Sequence, residues 1–172
     1  AVKYASLEIA YHEIEEQKRQ ITDSIHYAKR IQNAVLPEVE LLDEVIPHRF
    51  ILFMPRDIVS GDFYWVKKIK NFSIVVAADC TGHGIPGAFM SMLGIAYLNE
   101  IVTKSEINTS GQVLEHMRDF IIESLHQTGD PFENFDGMDM SFCAINEETL
   151  EMQFAGANSF AFISRNSKND ET

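Results

Sequence analysis

Apolar residues recur every seven positions at the start of this chain, at Leu7, Ile14, Ile21, Ala28 and Val35, with Ile25 four residues after Ile21. Glu13, Glu15, Glu16, Lys18, Arg19, Lys29 and Arg30 fill the other positions, so the pattern predicts a helix over residues 5–36 with one apolar seam. Tyr11, Lys18 and Gln32 occupy the companion seam position, where a strong coiled coil carries leucine. Two uses fit such a helix: a signalling or dimerising segment, or an N-terminal core helix. Pro37 closes it, because proline disfavours helix in the residue before it.

After an acidic connector from Glu38 to Asp43, the pattern turns strand-like at Arg49–Met54, Asp62–Val66 and Phe72–Ala78. The last is almost continuously apolar, as in a strand covered on both faces. Lys67-Lys68-Ile69-Lys70-Asn71 suits a hairpin between the second and third. Pro86 opens a helix that is apolar nearly all round from Ala88 to Leu98. A second, amphipathic helix is predicted from about Ser110 to Gln127, with Gly129 and Asp130 ending it. Three further strands are expected at Met140–Ile145, Glu151–Ala155 and Phe160–Ile163, joined by Asn146–Thr149 and Gly156–Ser159. A polar tail follows. Helices segregated against a largely antiparallel sheet give an α+β fold class.

Composition narrows the partners. The 172 residues carry 14 basic and 26 acidic side chains, a net charge of −12, which disfavours a nucleic-acid backbone as partner. A hydrophobic content of 45% is enough for a packed core, yet no apolar run is long enough to span a bilayer. Two cysteines, Cys80 and Cys143, without a secretory signal point to free thiols in the cytoplasm.

The chemistry concentrates in Gly61-Asp62-Phe63-Tyr64-Trp65 and Ala78-Asp79-Cys80-Thr81-Gly82-His83-Gly84-Ile85-Pro86-Gly87-Ala88. Each block sets an aspartate at the end of an apolar run beside turn-forming glycines. Alone, either aspartate could simply form a turn. Together, one hairpin apart, they can converge as ligands for a hard divalent cation, which would relieve their mutual repulsion. Two such cations can hold a water and lower its pKa for in-line attack on phosphorus. No nucleophile elbow, phosphate-binding glycine loop or zinc spacing accompanies them.

The stretches Asp57–Trp65 and Ala78–Met90 resemble the first two signatures of bacterial PPM-type serine/threonine phosphatases of the SpoIIE/RsbU class. Asp23–Pro37 is similar to the helical lead-in of that class, and Asp136–Met140 and Phe154–Asn158 to later segments. The resemblance implies a β-sandwich flanked by helix pairs, with a two-metal site for Mn²⁺ or Mg²⁺ at one end. It implies metal-dependent dephosphorylation of phosphoserine or phosphothreonine on a regulatory protein of the anti-sigma-factor antagonist type. Carried over by position, Asp62 and Asp79 bridge the metals, Cys80 lends its backbone carbonyl and Asp136, rather than Asp139, holds an accessory metal. Arg56 would hold substrate phosphate, the alternative being a solvated loop arginine. His83 either moves protons near the metals or fixes the helix entry.

The family closes its metal site with later aspartates, one in a Thr-Asp-Gly turn, that this sequence does not contain. The expected organisation is therefore a helical linker or dimerisation segment at 1–36 and the N-terminal part of a phosphatase domain at 37–172, with an incomplete sandwich. Weak metal binding and exposed strand edges follow, the latter inviting a homodimer alongside the helix. The alternative is a non-catalytic regulatory or dimerisation module that keeps the fold.

Overall fold

The apolar runs of the chain's middle pair with one another into a meander. In the computed structural model, which describes residues 2–104, 109–130 and 135–164, β1 (Phe63–Ile69), β2 (Phe72–Cys80), β3 (Met138–Asn146) and β4 (Met152–Ala157) form one antiparallel sheet in the order β1-β2-β3-β4. Asn71 and the positive-φ residue Lys70 make the tight turn between the first two strands. The β2–β3 register sets Asp79 opposite Asp139 and Cys80 opposite Met138.

Side chains alternate across the sheet, and this divides its faces by chemistry. Phe63, Trp65, Ile74, Val76, Ala78, Cys80, Met140, Phe142 and Ala144 point to one side and are buried. Two helices cover them: α3 (Gly84–Ile101) through Met90, Ile95, Leu98 and Ile101, and α4 (Ser110–Ser124) through Val113, Met117 and Ile121. Tyr97 and Phe120 stack between those helices with ring centroids 3.8 Å apart. Thr109 caps α4 in a reciprocal box with Gln112, satisfying two otherwise orphaned amides.

On the opposite face, α2 (Val39–Val45) packs Leu42 and Val45 onto Val66. Residues 38–43, expected as a connector, thus belong mostly to a helix. Their acidic content hides the three-residue spacing of Leu42 and Val45 that seats it. Two expected strands are not formed. Arg49–Met54 runs across this face without pairing, pinned by Arg49 to Asp43 at 2.8 Å, and leaves Phe50 91% exposed. Phe160–Ile163 also stays unpaired beyond the positive-φ residue Asn158, with Phe162 90% exposed. Extended apolar residues become a ladder only where a neighbour accepts their backbone bonds, and neither run pairs into the four-stranded sheet of the described residues. The polar tail from residue 165 falls outside the described residues.

The predicted N-terminal helix is α1 (Val2–Val35), 34 residues and so about 50 Å long. Leu7, Ile14 and Ile21 of the heptad seam are exposed, and only the C-terminal end of the helix meets the domain, against α3. None of the described helices is long and apolar enough to cross a membrane.

Candidate metal centre

Asp62 immediately precedes β1, where Phe63 pairs with Ala78, so the same register brings Asp62 opposite Asp79. Their carboxyl groups lie within hydrogen-bonding reach of one another. Asp62 is pushed above the usual carboxylate range, first by burial, then by that hydrogen bond and by the negative charge of Asp79. Two carboxylates in contact form an unsettled pair in water and a ready pair of ligands for a dication. Continuing across β3, Asp139 opposes Asp79, and Asn158 Nδ2 donates to Asp139 Oδ2 at 2.7 Å. All three aspartates line one cleft of about 560 Å³ over the open face of the sheet, together with Phe53, Tyr64 and Ser159.

The backbone around the pair is unusually tight. The Cβ atom absent from Gly61 would meet the carbonyl oxygen of Gly82 at 2.9 Å and that of Cys80 at 3.2 Å. At Gly87 it would meet the Gly82 oxygen at 2.6 Å and the Gly61 Cα at 3.0 Å. The glycines of the two blocks therefore interlock, pressing the loop before Asp62 against the turn after Asp79 and the first turn of α3. Gly87→Ala forces three backbone segments apart and is expected to destabilise the fold by about 3 kcal/mol in urea titrations. An unchanged midpoint would show that the loops have room to give.

A polar anchor holds the same loop from the other side. Gln32 near the end of α1 is buried, its Oε1 accepting from the Ser60 amide at 3.0 Å. Its Nε2 donates to the Ser60 carbonyl at 2.6 Å and to Ser91 Oγ of α3 at 2.9 Å. Ser91 Oγ donates in turn to the Ser60 carbonyl at 3.2 Å or the Ala88 carbonyl at 2.9 Å. In the sequence Gln32 is one of three weak companion seam positions, beside Tyr11 and Lys18, and nothing there sets it apart from them. A second tie joins the two blocks directly: His83 Nδ1 lies 2.9 Å from Asp57 Oδ2.

The other expected site residues are dispersed. Cys80 is buried, its side chain packed in the core beneath the helices, and its thiol is pushed up to about 12 by burial and by the charges of Asp79 and Asp62. Arg56 is exposed on the loop leading to Asp57. Asp136 accepts Gln127 Nε2 at 2.6 Å through its carbonyl and lines a separate cavity against α4, away from the cleft that holds Asp139. Among the described residues no group of three or more His, Cys, Asp or Glu side chains stands at metal-holding spacing. The donors present fit a hard cation in kind, and Mg²⁺ is commonly bound through one or two carboxylates with waters and substrate phosphate completing the shell.

No family model and no curated protein matches the chain. Among solved structures it is similar to the SiaA-PP2C domain of Pseudomonas aeruginosa, at 30% identity and a TM-score of 0.71 over 82% of this chain. This chain carries a PPM-type phosphatase fold. It spans 55% of that solved domain, so the described sheet and helices correspond to part of the PPM-type architecture. The antiparallel sheet with its helix pair on one face, preceded by the long helix α1, makes this an α+β fold.

Proposed function

We propose that the chain contributes to metal-dependent hydrolysis of phosphoserine or phosphothreonine on a regulatory protein, of the anti-sigma-factor antagonist type implied by the SpoIIE/RsbU resemblance. The contact between Asp62 and Asp79 carries this reading, since paired acceptor-only groups at a strand end are suited to Mn²⁺ or Mg²⁺. When bound, the metal pair would supply charge neutralisation for the phosphate and an activated water. In this proposal Asp62 and Asp79 are ligands, the Cys80 carbonyl a further one, and Arg56 a phosphate clamp. Asp136 remains the sequence-based candidate for an accessory cation, and Asp139, on the face of Asp79, joins it. The division at residues 36 and 37 separates a helix suited to dimerisation through Leu7, Ile14 and Ile21 from the phosphatase portion in a cytoplasmic protein.

A specific observation favours a second reading, a non-catalytic regulatory or dimerisation module: the described ligand set stops at a pair of carboxylates. Hydrolysis of 4-nitrophenyl phosphate separates the two. The phosphatase reading expects turnover that requires millimolar Mn²⁺ and is removed by EDTA. A folded sample without turnover assigns this chain to the second reading.

A further inference from the structure

At the turn of the β1–β2 hairpin, roughly 20 Å along the strands from Asp62 and Asp79, a second cavity of about 300 Å³ opens. It lies between the sheet, the residues just past α3 and the first turn of α4. Its wall is apolar: Phe72, Val113, Phe142 and Ala144 line it, and the last three are buried. Lys70 and Gln153 are exposed at its mouth. One lining residue is out of keeping with that wall. Ser110 is 4% exposed, yet its Oγ has no hydrogen-bond partner. Buried hydroxyls are nearly always paired, so one left without a partner beside open space points to an occupant.

The polar groups around the cavity select an acceptor. The hydroxyl hydrogen of Ser110 can rotate to meet one. The Ser110 amide already donates to Gln153 Oε1 at 3.2 Å, which leaves Gln153 Nε2 as that side chain's other end. Ser110 is also the first residue of α4, whose N-terminal end carries partial positive charge. Lys104 at the rim is paired with Glu100 at 2.8 Å, while Lys70 adds a further ammonium group, and no Asp or Glu lines the cavity among the described residues. Although the chain as a whole is acidic, this corner of it is not. We propose that the cavity binds a small carboxylate with an apolar body, of the medium-chain fatty acid class. Its carboxylate takes the Ser110 hydroxyl and its chain lies against Phe72, Val113, Phe142 and Ala144. The site is separate from the metal centre and does not rest on the phosphatase reading.

Titration of the full chain with octanoate, followed by ¹H–¹⁵N NMR, tests the assignment. Saturable shifts are expected at Ser110, Val113, Phe142 and Gln153, with a Kd below about 1 mM. Phe50 and Phe162, exposed apolar residues outside the cavity, should not respond. 1-Octanol, which lacks the charge, should bind at least about tenfold more weakly. Ser110→Ala is expected to weaken octanoate about tenfold as well. Without octanoate the same variant should keep or raise the thermal midpoint, because the hydroxyl it removes has no partner. No saturable shift, shifts spread over Phe50 and Phe162 alike, octanol binding as tightly as octanoate, or an undiminished affinity in Ser110→Ala each overturns the proposal. The octanol comparison uses the unaltered chain and stands whether or not the variant folds.

Discussion

Asp62→Asn is expected to fold, to resist heat slightly better than the unaltered chain in EDTA, and to lose metal-dependent hydrolysis. The loss should be about a thousandfold or more in kcat/KM, since several kcal/mol of transition-state stabilisation depend on the cation and each 1.36 kcal/mol is tenfold. The gain in metal-free stability has a separate origin. In the folded chain Asp62 is pushed up by burial and by Asp79, so the folded state binds its proton more tightly than the unfolded state does. Stability from that group is fully present below the unfolded pKa and is lost as pH rises through the folded one. The thermal advantage of Asp62→Asn should therefore be absent at the acid end, open as pH rises above the ordinary carboxylate value, and then level off. Solvent screening at this partly exposed site limits it to less than about 1 kcal/mol. Adding Mn²⁺ should reverse the order, raising the midpoint of the unaltered chain and not that of the variant. A Mn²⁺ response retained in Asp62→Asn would remove this residue from the metal centre.

How much of this arrangement could be seen in the sequence depends on how local each contact is. The helix that carries Leu7 to Val35, the hairpin around Lys70 and the helix near Pro86 all follow from spacing within a few residues, and the structure forms each of these elements. Asp62 and Asp79 were legible because a single hairpin fixes their register. Asp139 was not singled out above Asp136, because its place opposite Asp79 depends on pairing β2 with a strand about sixty residues away. Arg49–Met54 and Phe160–Ile163 have strand composition, but composition cannot show whether a pairing partner is at hand. The contacts of Gln32 with Ser60 and of Asp57 with His83 cross between elements, and no periodicity announces them.

Gln32 supplies the second large effect. Its amide gives the Ser60 amide an acceptor and the Ser60 carbonyl a donor, and it also holds Ser91, all in a buried setting. Gln32→Leu keeps similar volume while removing those bonds. The Ser60 carbonyl retains Ser91 Oγ as a donor, but the Ser60 amide loses its side-chain acceptor. A lost bond costs about 1 kcal/mol and a stranded buried donor about 1–3, so a total near 3 kcal/mol is expected in urea titrations. Because Ser60 lies two residues before Asp62, the same variant should also weaken the Mn²⁺-induced rise in the thermal midpoint. Gln32→Glu discriminates a hydrogen-bonding role from simple packing. Its ionised carboxylate can accept from the Ser60 amide but faces the Ser60 carbonyl with no donor, and burial raises its pKa. Protonation restores a donor, so the deficit of this variant should shrink as pH falls through the raised pKa and return as pH rises. Leu and Glu variants equally stable at every pH, or both as stable as the unaltered chain, would show that Gln32 fills space and does not hold the loop that carries Asp62.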